Sequence, residues 1–207
     1  MTRREASKDP RAVRTRQALI SATLDLLEQH SAHDLSVTTI VREAGVSRQV
    51  FYEHFTDRDG VVFAAGKAIL EPAYREFVET FEPDTSYPEQ VQKLFRRLAN
   101  HRGAVRTLMD SAAQGKLNRF AGEILYAPVR AELAEFGERL KDAGIDFDDD
   151  MLNETARFLA AGTQEVFARG ISEDIAPGEV ARRIEDVRRT IGAFALGEGL
   201  HERQRLA

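Results

Sequence analysis

Residues 36–55, SVTTIVREAGVSRQVFYEHF, read as two short helices joined by a tight turn at Gly45. Ser36 can cap the first helix through its hydroxyl, and Val37, Ile40 and Val41 then supply an apolar face at spacings of three and four. Gly45 ends that helix. Ser47 is a second capping residue, followed at helical spacing by Val50, Phe51, His54 and Phe55, while Arg48, Gln49, Tyr52 and Glu53 point elsewhere. The pattern is a helix-turn-helix whose second helix has a polar face. Such a helix enters the DNA major groove, about 12 Å wide, with its N-terminal side chains on base edges and flanking groups on phosphates.

Working outward, a helix over about Arg11 to Gln29 carries Leu19, Ala22 or Thr23, and Leu26 or Leu27 on one stripe, enough to pack against the pair. Downstream, Thr56 with Asp59 is a Thr-x-x-Asp start signal for a helix bearing Val61, Val62, Ala65 and Ile69. Pro72 lies inside its extent and should kink or break it, as a hinge or as a domain boundary, of which the boundary is the preferred reading.

From Arg14 to Val62, about a quarter of the chain, the sequence resembles the DNA-binding domain of the tetracycline-repressor (TetR) family of bacterial regulators. The segments that carry the resemblance are RTRQALISATLDLL, SVTTIVREAGVS and VFYEHFTDRDGVV, with AGVS followed by YEHF as the specific signal. Three positions depart from the family pattern. Ser36 stands for the usual Thr, Val41 for the usual Ala, and His30 or Ser31 for the usual helix-ending Gly. The first two preserve capping and burial, and the third leaves the end of helix one at either residue. On the DNA side the resemblance implies Arg48, Gln49 and Val50 nearest the bases. Ser36, Thr39, Tyr52, His54 and Arg58 are then expected on phosphates, with Ser47 opening the reading helix.

With 207 residues, 43% of them hydrophobic, the chain has material for a real core in one or two domains. It has no apolar run near 18 residues, and its first residues, MTRREASKDPR, lack an apolar signal region, so a cytoplasmic protein is expected. The absence of Cys removes disulfides and thiol chemistry. A net charge of −5 conceals a lopsided distribution, since Met1 to Arg16 hold six basic residues against Glu5 and Asp9. That basic arm is a solvated tail or a phosphate or minor-groove contact, and Arg14 and Arg16 are the stronger contacts because they open the first helix.

The segment Glu82 to Pro88 is the clearest loop, with Pro88 suited to a first helical turn. Leu94, Phe95 and Leu98, then Val105, Leu108 and Met109, mark two helices parted near His101 to Gly103. Leu125, Val129, Leu133, Phe136 and Leu140 carry another to Gly144, and Met151 to Arg169 and Gly178 to Gly197 make the last two. No strand-period run competes, so the expected fold is all-α. An N-terminal three-helix helix-turn-helix DNA-binding domain would be followed by a C-terminal helical ligand-binding and dimerisation domain. The boundaries assigned are a basic arm over 1–10, the DNA-binding domain over 11–71 and the second domain over 72–207.

Several stretches that resemble chemistry fail on spacing. DFDDD at 146–150 has the alternating Asp of a calcium loop, but Met151 replaces the Gly and Arg157 the bidentate Glu, so an acidic helix N-terminus is the simpler account. His30, His33, His54, His101 and His201 form no metal-binding pattern, and no phosphate loop or catalytic triad is evident. No metal, no cofactor and no enzyme activity are expected.

Tyr74, Phe77, Phe81, Phe95, Phe120, Tyr126, Phe136 and Phe158 are spread over the central helices, most of them as core. The resemblance implies a cavity there for a small, largely apolar effector, with Tyr126, Arg130, Phe158, Thr163 and Gln164 as candidate ligand residues. Val180, Ile184, Val187, Ile191 and Phe194 form a heptad-like seam, and the preceding helix adds Leu159 and Val166 beside small residues. The two helices pack within their own subunit or, as the resemblance implies, form a homodimer's four-helix bundle. The resulting reading is a ligand-responsive repressor that binds a double-stranded DNA operator. An activator or structural DNA-binding protein on the same fold, and a helical carrier or enzyme with an incidental helix-turn-helix, are the alternatives.

Overall fold

Helix α1 (Pro10–Leu27) begins where Asp9 accepts the Arg11 N–H at 2.9 Å, with Pro10 in the first turn, where a missing N–H leaves no bond unmade. The computed structural model describes residues 9–80, 86–142 and 148–190, apart from the side chains at 136, 138–140 and 142. Expectations for residues 1–8, Phe81, Gly144, Asp146, Ile191 and Phe194, and for the side chains of Phe136 and Leu140, lie outside the described residues. The remaining helices are α2 (Val37–Glu43), α3 (Arg48–His54), α4 (Arg58–Glu79), α5 (Tyr87–Ala99), α6 (Arg102–Met109), α7 (Gln114–Asp142) and α8 (Asp149–Ser172), with α9 over 177–190. The described residues contain no strand, so the all-α expectation holds, and none of their helices is long and apolar enough to cross a membrane.

The chain divides into two compact units, one of 9–73 with Arg96–Phe120 and one of Tyr74–Phe95 with the described residues after Phe120. In the first unit Leu19 and Leu27 of α1, Ile40 of α2, Phe51 of α3, Val61 of α4, Leu108 of α6 and Leu117 of α7 are sealed from solvent. Here α4 starts one residue later than the sequence signal indicates. Asp57, not Thr56, is the cap, its Oδ1 accepting the Gly60 N–H at 2.8 Å. Pro72 does not break α4, which runs on to Glu79, although the division between units falls just beyond it, after Ala73. Segment Arg96–Phe120, which the sequence boundaries group with the second domain, packs with the first unit.

The second unit is organised around Phe167, a fully buried ring that Tyr74, Phe77 and Phe95 meet edge-on at centroid distances of 6.2, 5.7 and 6.2 Å. One step along α8, Gly170 lets α9 and α5 close in, since a Cβ there would lie 2.6 Å from Val180 Cγ2 and 3.1 Å from Phe95 Cζ. Helix α8 starts as its acidic run suggests, with Asp148 accepting the Met151 N–H at 2.8 Å and Asp149 and Asp150 in the first turn.

Candidate nucleic-acid interface and cavity

The helix-turn-helix is set by caps that the sequence carries locally. Ser36 Oγ accepts the Thr39 N–H at 3.1 Å at the start of α2, and Ser47 Oγ accepts the Val50 N–H at 3.2 Å at the start of α3. Between them Gly45 adopts φ +65°, which lets Val46 N–H reach the Val41 carbonyl at 3.0 Å and Gly45 N–H the Arg42 carbonyl at 3.3 Å. That paired closure satisfies the last carbonyls of α2 and turns the chain sharply, and it needs a residue without a Cβ penalty in the left-handed region.

Helix α3 is anchored by Phe51, fully buried, with Phe55 5.8 Å away and the Arg16 guanidinium 5.0 Å from the Phe55 ring centre. Arg16 thus packs on the domain's own aromatic ring. Opposite Phe51, Arg48, Gln49 and Tyr52 are exposed and share one side of the helix, Tyr52 standing edge-on to Phe51 at 5.3 Å. Val50 is half-buried, and Ser36 and Thr39 bond each other through their hydroxyls at 2.9 Å beside the reading helix's partner.

Two of the assigned phosphate contacts are placed differently. His54 is 4% exposed, a core residue beneath α3, because its position three after Phe51 puts it on the apolar side of a seven-residue helix. Arg58 is committed inward. Its Nε and Nη2 donate to Asp59 Oδ1 at 3.0 and 2.9 Å, and Nη1 donates to the carbonyls of His33 and Leu35 at 3.1 and 3.4 Å. It clamps α4 to the loop before α2, whose carbonyls have no helix to satisfy them.

In the second unit a cavity of about 370 Å³ is lined by Phe77, Val78, Tyr87, Leu125, Pro128, Val129, Glu132, Glu135, Leu159, Thr163 and Arg188. Of the five ligand candidates read from sequence only Thr163 lines it. Tyr126 Oη and Arg130 Nε both donate to Asn153 Oδ1, at 3.1 and 2.7 Å, so this pair ties α7 to α8. Gln164 is buried beside the Tyr74 hydroxyl, whose acidity burial suppresses while Gln164 pulls the other way, and Phe158 is 71% exposed. The polar residues Tyr126 and Arg130 within α7 thus have their partner on the neighbouring helix α8.

The cavity's charged edge was not legible. Arg188 of α9 bonds Glu132 of α7 and lies over the Tyr87 ring, its Cζ 5.6 Å from the centroid. Burial raises the Tyr87 phenol above its ordinary value, with the Arg188 charge opposing that shift, so it stays neutral. No signal links residues 56 positions apart on two polar helix faces. Among the described residues no cluster of three His, Asp or Glu side chains could hold a metal ion.

The seam assigned to a dimer also divides. Val180 and Ile184 are buried at 0% and 3% within the chain, Val180 against Gly170 of α8, so neither is exposed as a dimer seam would need. Leu159 and Val166 are half-buried, Leu159 on the cavity wall. Val187 is 50% exposed, and along α8 Met151 and Phe158 are exposed together with Ala161 and Gly162.

Residues 19–65 match the family model for bacterial regulatory proteins of the tetR family. The HTH-type transcriptional regulator BetI of Klebsiella pneumoniae is 39% identical over 126 residues, a match that spans 60% of this chain and 62% of the relative. A transcriptional regulator from Pseudomonas aeruginosa aligns over 94% of this chain and 97% of its own, with a TM-score of 0.58 at 20% identity. The TetR family repressor AlkX from Dietzia sp., implicated in biodegradation of n-alkanes, aligns over 86% and 95%, with a TM-score of 0.57 at 16% identity. These two likenesses establish a shared fold. Residues 19–65, with the capped helix-turn-helix they contain, thus match the DNA-binding domain of the tetR family of bacterial regulatory proteins, and the chain spans less than two thirds of the length of its BetI relative.

Proposed function

We propose that the protein is a homodimeric transcriptional repressor that binds operator DNA through α3 and leaves it when a small, largely apolar effector enters the second unit's cavity. The observation that carries the DNA-binding part is the exposed trio Arg48, Gln49 and Tyr52 on a helix held from behind by Phe51. Arg48 and Gln49 have the donors to read base edges, and Tyr52, with the Ser36 and Thr39 hydroxyls, has the reach of a phosphate contact. The repressor sign is the one named for AlkX. Such a protein works in the cytoplasm, where its operator lies.

Dimerisation is supported by the exposed apolar residues of α8, where Met151 and Phe158 precede the small Ala161 and Gly162, together with Val187 of α9. Two reading helices must face one groove about 34–36 Å apart, which a two-fold dimer provides. Helices α4 and α7 each carry residues of both units without a break, so an effector that biases their course in one unit acts on the other. A coupling of about 1–3 kcal/mol would weaken operator binding by roughly 5–150-fold.

The test is a gel shift with the DNA upstream of the protein's own coding region, at fixed salt. Gln49→Ala relaxes discrimination between operator variants, at a cost of about 1–3 kcal/mol on the preferred site. Tyr52→Phe weakens all sequences alike. Absence of any sequence preference in the wild-type protein, or an identical shift in preferred site for both variants, refutes the assignment.

A further inference from the structure

The cavity's lining includes two residues with carboxylates, Glu132 and Glu135, both at its exposed edge, and one with a guanidinium, Arg188, so the lining carries a net negative charge. Glu132 is bonded to Arg188, whereas Glu135 makes no ion pair among the described residues. Arg188 also lies over the face of Tyr87, and Phe77 stands edge-on to Tyr87 at 6.3 Å. The protein has therefore set a cation against an aromatic face and a carboxylate at the edge of an apolar chamber. That is the chemistry by which an organic cation is recognised, and Arg188 occupies it from within the chain.

We infer that the cavity takes an amphipathic organic monocation, whose charged head displaces the Arg188 guanidinium from Tyr87 and Glu132 while its apolar body fills the chamber. This rests on the proposed effector role of the cavity and adds the ligand's charge. A ligand cation in that seat gains the Tyr87 face and both carboxylates, and the released Arg188, already 31% exposed, turns to water. An anion has the opposite balance. To reach Arg188 it must displace Glu132, and it then sits in a lining that also holds Glu135 and the electron-rich Tyr87 face. Displacing Arg188 also breaks the ion pair joining α9 to α7, which makes occupancy felt along both helices.

The test compares three probes with the same apolar body, octyltrimethylammonium, octanoate and octanol, by calorimetry on the full chain. The cation is expected to bind roughly tenfold or more tighter than the other two. Arg188→Gln is expected to tighten the cation by vacating its seat, and Glu132→Gln and Glu135→Gln to weaken it, with thermal unfolding verifying that each variant folds. Tightest binding of octanoate with loss of that binding in Arg188→Gln overturns the inference, and so does equal binding of cation and octanol. Failure of all three probes to bind overturns it as well. A parallel titration of upstream DNA separates this from the effector reading. A cation that binds the cavity but leaves DNA affinity unchanged supports the ligand class and refutes the effector role. Octanoate or octanol that binds and releases DNA does the reverse.

Discussion

Gly103 is where α6 meets the end of α1, and the structure fixes what a single methyl group would do there. A Cβ at this position would lie 2.5 Å from Glu28 Oε2, 2.8 Å from the Glu28 carbonyl oxygen and 3.2 Å from Glu28 Cα. The carboxylate can swing aside. The other two atoms cannot, because Glu28 is the C-cap of α1 and its N–H is bonded to the Leu24 carbonyl at 3.1 Å. Gly103→Ala must therefore move α6 off α1. Gly115 provides the control, being also the second residue of its helix, in the same unit, with nothing within 4 Å of its would-be Cβ.

In an open helical site Gly→Ala stabilises by up to about 0.5–1 kcal/mol through propensity alone. That gain is common to both sites, whereas overpacking against backbone costs about 1–3 kcal/mol. Gly115→Ala is thus expected to be neutral to stabilising, and Gly103→Ala to destabilise by about 0.5–2 kcal/mol. Adding Glu28→Ala to Gly103→Ala relieves only the carboxylate contact and recovers a minor part of the loss. Urea unfolding followed by circular dichroism, at one fixed protein concentration because dimerisation would shift the midpoint, measures all four proteins. A Gly103→Ala protein as stable as Gly115→Ala, or complete rescue by Glu28→Ala, would refute the backbone clash.

Gly45→Ala should destabilise by about 1 kcal/mol, since its φ of +65° is strained for a Cβ although no atom lies nearby, and Gly45→Asn should cost less. If Arg58 is a clamp, Arg58→Ala and Arg58→Lys both lower the urea midpoint, by about 1 kcal/mol, because a lysine cannot span Asp59 and two carbonyls. A phosphate contact would instead leave stability intact and let lysine keep DNA affinity. Asp174, at φ 55° in the closure of α8 where Ile175 N–H meets the Gly170 carbonyl at 2.9 Å, should gain about 0.5–1 kcal/mol on replacement by Gly in the same assay.

What the sequence made legible is what short-range chemistry decides. The bonds that Ser36, Gly45 and Ser47 set up span three to five residues, so their roles can be read before any fold is known. His54 and Arg58 lie within the same motif, yet their roles depend on what the fold brings behind α3 and on loop carbonyls more than twenty residues upstream. A resemblance transfers the positions of such residues, but the direction in which a side chain points is settled by its neighbours.

The same distinction holds in the second unit. Apolar periodicity says that a helix face wants burial and not which surface buries it, so Val180 and Ile184 satisfied the dimer pattern while being consumed inside the chain. Polar residues within apolar helices invite a ligand reading for a related reason, since a buried polar group requires a partner. Tyr126 and Arg130 have theirs in Asn153 of α8, and that demand is met without a ligand. Tyr87 of α5, Glu132 of α7 and Arg188 of α9 form a grouping of the same kind, but theirs edges an open cavity and, among the described residues, leaves Glu135 without an ion pair. A polar cluster in a helical domain points to a ligand where the protein's own side chains leave both charge and space unfilled, and in the described residues that condition is met at the Glu132–Arg188 edge and not at Asn153.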